Sequence, residues 1–299
     1  MHKMKESGTD RIFVFINTMF LIFVLLIVLY PLIYTISASF SNPDILNAGK
    51  VWLLPKGFTF DGYRRVLQDA EIWTGYGNTI LYTLLGTSVN IFLTLTAAYP
   101  LSRKEFYGRN VFTALFTFTM FFSGGLIPNF ILVKQLHMYN TFWALIIPAA
   151  VSMYYIIITR TFFQSSIPVG LYDAASIDGC SNVRQFFTIV LPLSAPIIAV
   201  MSLFYGVGHW NSYFSAMIYL SDRNKYPLQL VLREILVVNQ MSDAMMMTGE
   251  QADYMAKQVK VAELVKYSVM IVSSLPLLVV YPFLQRFFVK GMLVGAIKG

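Results

Sequence analysis

The sequence predicts an all-α membrane protein with six transmembrane helices, and its composition and the spacing of its charges carry that prediction. Hydrophobic residues make up 57% of the 299 residues and charged residues 12%, with a mean hydropathy of +0.62. A soluble domain carries about 25% charged residues. Six stretches without Asp, Glu, Lys or Arg come near the roughly 20 apolar residues that a bilayer crossing requires. They lie within 12–43, 75–102, 110–133, 135–159, 185–221 and 267–285.

We assign one span to each stretch. The first is too long for a cleavable signal peptide, whose apolar region has about 7–15 residues, so we expect it to remain as a membrane helix. The fifth predicted span has two prolines near its start, Pro192 and Pro196, which are expected to kink the helix at its membrane entry. The predicted spans lie near 12–36, 78–100, 111–133, 141–163, 191–218 and 267–288.

The loop charges predict that both termini are cytoplasmic. An even number of spans puts the two termini on one side. The segments on that side contain 11 Lys and Arg against 5 acids, whereas the segments on the other side contain 11 against 10. Basic residues accumulate in cytoplasmic loops, and short loops count most. The predicted organisation is a cytoplasmic N-terminus at 1–11 and a single transmembrane domain at 12–299. Its extracytoplasmic segments lie near 37–77 and 219–266, and a cytoplasmic loop lies near 164–190.

Several function classes are disfavoured by what the sequence lacks. The predicted spans contain no Asp, Glu or Lys, and their two arginines, Arg160 and Arg286, lie within three residues of the span ends, although ion-coupled transporters usually place ionisable groups deep in the membrane. His209 is interpreted as a hydrogen-bonded helix-packing residue rather than a proton relay. The chain has no phosphate-binding loop of the GxxxxGK[ST] type and no common hydrolase motif. Its single cysteine, Cys180, excludes an internal disulfide and a cysteine metal cluster. We therefore expect a transport protein that is not an enzyme and binds neither metal nor nucleic acid.

The cytoplasmic segment 165–192 has the pattern of a helix, a tight turn and a second helix. Ser165 or Ser166 is predicted to cap a helix with Pro168 in its first turn. That helix should end near Asp178, because Gly179 suits a left-handed position after a helix. Ser181 can cap the second helix, which leads into the fifth span.

The composition of this first helix favours a protein partner. Ala174 and Ala175 are small enough for another surface to approach closely, and Asp173 and Asp178 can accept charge-assisted hydrogen bonds from Arg or Lys. The alternative is an amphipathic helix that lies on lipid headgroups. Such helices are usually basic on their polar face, whereas this one carries two aspartates.

The same segment resembles the cytoplasmic E-A-A-x3-G-x9-I-x-L-P loop of ABC importer permeases. Asp173 stands where that pattern has Glu, and it keeps the charge on a side chain one methylene shorter. The other positions occur at the spacing of the family: Ala174, Ala175, Gly179, Ile189, Leu191 and Pro192.

Further matches narrow the resemblance to the maltose-type, MalG-like carbohydrate importers. The stretch from Ala175 to Gly179 is similar to the sugar-importing branch. Trp210, Asn211 and Tyr213 resemble its W-N-x-[FY]-x-x-A stretch, with Ser212 where an acid is common. The tail 285–299 is similar to the Q-R-x-F-V-x-G-x-x-x-G-A-x-K-G ending. This resemblance implies the MetI/MalG-like permease architecture in a bacterial plasma or inner membrane.

The resemblance also implies the partners. The chain would form a heterodimer with a second permease, with two ATP-binding subunits inside and a solute-binding protein outside that delivers a sugar. ATP and Mg would bind the ATPase subunits, and this chain would bind no cofactor. The expected ATPase-coupling residues are Asp173, Ala174, Ala175, Asp178, Gly179, Leu191 and Pro192, and the tail residues Gly295, Lys298 and Gly299 would reach the same subunits.

Four residues on the fifth span are candidates for sugar contact, because sugars offer hydroxyls for hydrogen bonds and apolar faces for aromatic stacking. They are Tyr205, Trp210, Asn211 and Tyr213. An interfacial aromatic belt or a hydrogen bond between helices would also explain these residue types. Two other functions stay open: an ABC permease for a non-sugar solute, and a channel or ion-coupled carrier that acts alone.

Overall fold

The computed structural model describes residues 8–245, 265–283 and 285, and every regular element within them is helical. In chain order the α-helices are α1 (Gly8–Ser39), α2 (Pro43–Asn47), α3 (Asp61–Gln68), α4 (Ala70–Ser102), α5 (Arg109–Phe121), α6 (Leu126–Gln135), α7 (Trp143–Ile146), α8 (Met153–Ser166), α9 (Val169–Ile177), α10 (Asn182–Gln185), α11 (Leu191–Leu193), α12 (Ala195–Trp210), α13 (Phe214–Tyr219), α14 (Leu228–Met245) and α15 (Val265–Phe283). Two 3-10 turns cover Ile147–Ala149 and Arg223–Lys225, and a π-helical turn covers Phe186–Val190. The predicted all-helical class is confirmed.

Three of these helices, α1, α4 and α15, are long and apolar enough to cross a membrane. Three more candidates are pairs of helical segments joined at a bend. Helices α5 and α6 are bent by 114° relative to each other, the segment 143–149 and α8 by 56°, and the segment 182–193 and α12 by 78°. By length and composition, the described residues therefore contain three spanning helices, or up to six if each bent pair is one span.

The structure adds breaks inside the spans predicted near 111–133 and 141–163, and it has the kink that the prolines predict at the entry of the span near 191–218. The first of these spans breaks at a glycine pair, where Gly125 has φ +81°, a conformation open to glycine at little cost. The second breaks just after Pro148, and the third breaks between Pro192 and Pro196. Proline removes a helix hydrogen bond and clashes with the preceding turn.

The chain divides into two compact units, one formed by Met1–Asp69 with Glu234–Ser274 and the other by Ala70–Arg233 with Leu275–Gly299. In the first unit, a small core of Ala38, Leu46 and Val51 lies against Tyr34 and Tyr267. The apolar window of α1 is fully exposed, as expected for a helix whose solvent is lipid.

The second unit has its core where α4, α8 and α12 pack together. Its buried side chains include Leu95, Ala98, Ile156, Phe163, Ile197 and Met201. At the other end of this helix group, Asn78 donates hydrogen bonds from Nδ2 to the carbonyls of Asn224 and Tyr226 at 2.7 and 3.0 Å. The start of α4 thus holds the loop that precedes α14.

Candidate functional site

Helix α9 forms the first part of the 165–192 segment. It covers Val169–Ile177 and has Pro168 at its N-cap. The prediction that Ser165 or Ser166 caps this helix is wrong, because both belong to the last turn of α8. Proline fixes its own backbone and disfavours helix at the residue before it, so Ile167 and Pro168 separate the two helices.

The turn after α9 has the predicted left-handed glycine. Gly179 has φ +69°, and its N–H donates to the carbonyl of Ser176 at 3.1 Å. The Cys180 N–H donates to the carbonyl of Ala175 at 2.9 Å. These two hydrogen bonds define a Schellman motif. The chain therefore leaves α9 in one fixed direction.

The inner face of α9 is anchored to the end of α4 and the loop that follows it. Tyr172 is 5% exposed, and the Arg103 guanidinium lies 3.9 Å from the centre of its ring, the geometry of a cation–π contact. Burial raises the pKa of Tyr172 above its ordinary value, so the phenol stays neutral at physiological pH. Tyr99 donates from Oη to the carbonyl of Asn182 at 3.2 Å.

A buried glutamine closes the turn from inside. Gln185 is 1% exposed and donates from Nε2 to the Ser176 hydroxyl at 3.1 Å and to the Cys180 carbonyl at 3.0 Å. These two hydrogen bonds satisfy the buried amide nitrogen. Gln185 thus ties the start of the second helix to the end of α9, and sequence reasoning missed it.

The outer face of α9 is exposed and mainly apolar. Ile177 is 86% exposed and Val183, just after the turn, is 69% exposed. Three predicted coupling residues lie on this exposed surface, namely Asp173, Ala174 and Asp178, whereas Ala175 is buried. Exposed aliphatic side chains on a fixed helix mark a contact surface, and the two carboxylates beside them can accept charge-assisted hydrogen bonds from a protein partner.

The second helix starts and bends as the sequence indicates. Ser181 caps α10, with its hydroxyl accepting from the Arg184 N–H at 3.4 Å. Leu191 is half-buried and Pro192 is exposed. They lie just before the 78° bend, so these two predicted coupling residues form the corner between the cytoplasmic segment and α12.

The four predicted sugar-contact residues do not share one surface. Tyr205 is buried in the helix core, where its hydroxyl lies 2.7 Å from the Thr94 hydroxyl. Trp210 is also buried, 5% exposed. Asn211 and Tyr213 are exposed in the break between α12 and α13. Only the latter two are open to a solute in the chain alone.

Tyr213 has a cationic neighbour that the sequence did not indicate. The Arg233 guanidinium lies 5.8 Å from the centre of the Tyr213 ring, within the range of a weak cation–π contact. The remaining predicted residues, Gly295, Lys298 and Gly299, lie outside the described residues. Within the part of the chain that the structure describes, no three His, Cys, Asp or Glu side chains come together as a metal site.

A buried amide in the membrane region was also missed. Asn90 on α4 is fully buried and donates from Nδ2 to the carbonyls of Ala149 and Ala150, at 3.0 and 2.7 Å. Its Oδ1 lies 2.6 Å from Nε2 of His209, so His209 has the interhelical hydrogen bond expected of a packing residue. The available signal was an asparagine in the interior of the predicted span 78–100, where an amide needs hydrogen-bond partners from another helix.

Comparison with known proteins gives consistent matches. The family described as the binding-protein-dependent transport system inner membrane component matches residues 90–294. Protein LplC of Bacillus subtilis (strain 168) is 40% identical over 299 residues, covering 100% of this chain and 99% of LplC. The polygalacturonan/rhamnogalacturonan transport system permease protein YtcP of the same organism is 40% identical over 290 residues, covering 97% of this chain and 99% of YtcP.

A solved structure agrees with these relatives. The chain is similar to a chain in the crystal structure of a bacterial ABC transporter involved in the import of the acidic polysaccharide alginate. The TM-score is 0.84 and the sequence identity 32%, and the match covers 96% of this chain and 100% of that chain.

Proposed function

Because the chain belongs to the family of binding-protein-dependent transport system inner membrane components, we propose that it forms half of the translocation path of an ATP-driven oligosaccharide importer. As a permease subunit of an ABC importer it is a transport protein of the bacterial plasma membrane and not an enzyme. The complete importer would also contain a second permease, two ATPase subunits that bind ATP and Mg, and a solute-binding protein.

One observation supports the coupling role most directly: α9 is held firmly on its inner face and left open on its outer face. Burial of Tyr172 and the Gln185 hydrogen bonds fix the helix. The exposed Ile177 and Val183 carry apolar surface outward. A helix fixed in this way moves with whatever binds its outer face, so ATPase closure would be passed to the membrane helices as rigid-body motion.

In this proposal the predicted coupling residues have different tasks. Asp173, Ala174 and Asp178 would contact the ATPase subunit, while Ala175 and Gly179 would shape the helix and its turn. Leu191 and Pro192 would transmit the motion through the bend into α12. The tail residues Gly295, Lys298 and Gly299 would reach the ATPase dimer from the same side.

The proposal also includes the finer topology. Six spans, with each bent pair as one crossing, would place both termini in the cytoplasm, as the loop charges favour. Residues 12–299 would act as a single permease domain. The segments near 37–77 and 219–266 would then face the solute-binding protein.

We propose an acidic oligosaccharide as the first solute class to test. The relative YtcP is a permease for polygalacturonan and rhamnogalacturonan, and the similar solved structure belongs to an alginate importer. The exposed Asn211 and Tyr213, with the Arg233 guanidinium close by, would supply a hydrogen bond, an aromatic face and a positive charge. These groups suit a carboxylated sugar ring.

Purification of the tagged chain from its native membrane in mild detergent tests the assembly. We expect a second permease and an ATPase to be identified with it by mass spectrometry. The substitution Ala174→Arg should remove the ATPase but keep the second permease, since it puts a bulky charge on the outer face of α9. The matched control is Ala48→Arg, the same change at an exposed alanine outside the segment. A homo-oligomer without ATPase would overturn the proposal and favour a channel or carrier that acts alone.

The solute class is tested through the solute-binding protein of the same assembly. We expect tri-galacturonate to bind with higher affinity than maltotriose in isothermal titration calorimetry. Higher affinity for maltotriose would retain the sugar importer but exclude the acidic class. Binding of a peptide or phosphate instead of either sugar would favour the non-sugar permease.

A further inference from the structure

Asn90, on α4, lies against the break between α7 and α8. The first half of that pair ends in the 3-10 turn Ile147–Ala149, and α8 begins at Met153 after a 56° bend. A break frees backbone carbonyls, and inside a membrane each carbonyl without a partner is costly. Nδ2 of Asn90 donates to two consecutive carbonyls at this break, those of Ala149 and Ala150.

The orientation of the Asn90 amide follows from its partners. Its nitrogen faces two carbonyl oxygens, which can only accept. Its oxygen therefore faces His209, and the His209 Nε2 must carry the proton that it donates over 2.6 Å. Gly86 makes room for this ring, because a Cβ at residue 86 would lie 2.5 Å from Nε2 of His209. The histidine thus holds the amide with its donors toward the break.

Asn90 joins α4 to α8 and α12, the two helices that flank the segment 165–192. Helix α8 runs from the break to Ser166 and leads directly into α9, while α12 follows the segment and carries His209 near its other end. From Ala195 to His209, α12 extends about 21 Å. At the α9 end, Arg103 and Tyr99 tie the end of α4 to α9 and α10. At the far end, Asn90 joins α4 to the break before α8 and, through His209, to α12.

We propose that Asn90 is a positioning residue for transport. Its side chain, oriented by His209, holds the helix break after Ala150, so that α4, α8 and α12 move as one body. This inference rests on the coupling role proposed for α9. Without the Asn90 donors, the break can shift along α4, and motion received at α9 is lost before it reaches the far end of the path.

The test uses the complete reconstituted complex in nanodiscs, in a Cys180→Ser background. Spin labels replace Leu84 and Val151, which are 65% and 49% exposed on α4 and at the break. Electron paramagnetic resonance then reports one narrow distance in the wild type. Asn90→Leu removes all three hydrogen bonds, and Asn90→Asp replaces the amide nitrogen that donates two of them with an oxygen that cannot donate both. Each should widen the distribution about twofold, because orphaned buried carbonyls cost enough to populate other arrangements.

The matched control is Thr79→Val, three turns earlier on α4. Thr79 is also buried, and its hydroxyl accepts from the Leu228 N–H at 2.8 Å, away from the break. We expect a narrow distribution in this variant. An unchanged distribution in both Asn90 variants, or equal widening in Thr79→Val, would overturn the proposal. The distance measurements do not require the solute, so their result is independent of the proposed solute class.

Two histidine variants keep the proposal testable if the Asn90 variants do not assemble. His209→Gln can still donate to Oδ1 of Asn90 and should keep the narrow distance, whereas His209→Phe cannot and should widen it. Equal distributions in these two variants would contradict the orienting role. In variants with a widened distance, solute uptake should fall about tenfold at unchanged basal ATPase activity.

Discussion

At Gly179 the backbone conformation, and not the surrounding space, limits which residue the turn after α9 can have. An added Cβ would meet nothing within 4 Å, but φ is +69°, a region that costs an L-residue about 1–2 kcal/mol. The sequence was sufficient to predict the left-handed conformation of Gly179, because a glycine between the end of one helix and the capping serine of the next usually adopts it. It was not sufficient for Gln185 or Asn90, whose partners are defined only by tertiary packing.

We expect Gly179→Val to uncouple transport without preventing membrane insertion. A β-branched residue resists the left-handed conformation, so the turn and the outer face of α9 would be displaced. Gly179→Asn is the control, since asparagine tolerates this conformation better. Uptake and ATPase activity are measured in proteoliposomes. Normal coupled uptake by the valine variant would contradict this role.

A second prediction concerns the packing of α4 on α12 at Gly86. Gly86→Ala should lower the thermal stability of the purified complex, because the new methyl group would clash with the His209 ring. Overpacking of this kind costs about 1–3 kcal/mol. Gly77→Ala is the control on the same helix, where an added Cβ meets no atom within 4 Å. Size-exclusion chromatography after heating compares them, and equal midpoints would refute the prediction.

At the scale of elements, the six predicted spans lie at the upper limit of the three to six that the described residues allow, and two of the three bends were not predicted. Apolar composition decides whether a segment enters the bilayer. It does not decide whether the helix stays straight, which depends on how freed backbone groups find partners. The break that follows Pro148 is tolerated because its freed carbonyls accept hydrogen bonds from Asn90, which lies on another helix about 60 residues earlier in the sequence. No pattern within 135–159 could have revealed that partner.

The anchoring of α9 gives a prediction at this scale. Tyr172→Leu removes the aromatic ring under the Arg103 guanidinium and should reduce binding-protein-stimulated ATPase activity severalfold, in line with the roughly 0.5–2 kcal/mol of a cation–π contact. Tyr172→Phe keeps the ring and should behave like the wild type. If the two variants have the same stimulated activity, the contact does not position α9.

For the whole molecule, function depends on assembly. The apolar window of α1 is exposed, and so is the outer face of α9. The chain thus carries large surfaces that lipid or partner subunits must cover. The family resemblance could be recognised from the sequence, whereas the residues that hold the helices together could not.

The source of energy separates the importer from a carrier that acts alone. In proteoliposomes without ion gradients, uptake should require ATP and should stop when the ATPase subunit carries a substitution of its phosphate-binding lysine. A protonophore should have no effect, because the predicted spans contain no Asp or Glu that could relay protons. Uptake that persists without hydrolysis, or that the protonophore abolishes, would exclude the ATP-driven mechanism.

The Schellman turn has a practical consequence for following transport in time. Its last residue, Cys180, is the single cysteine of the chain and is partly exposed. One fluorophore attached there would mark the point where the ATPase is proposed to push, without any engineered residue. The colour and lifetime of its emission during a catalytic cycle would give the timing of docking and release in the native sequence.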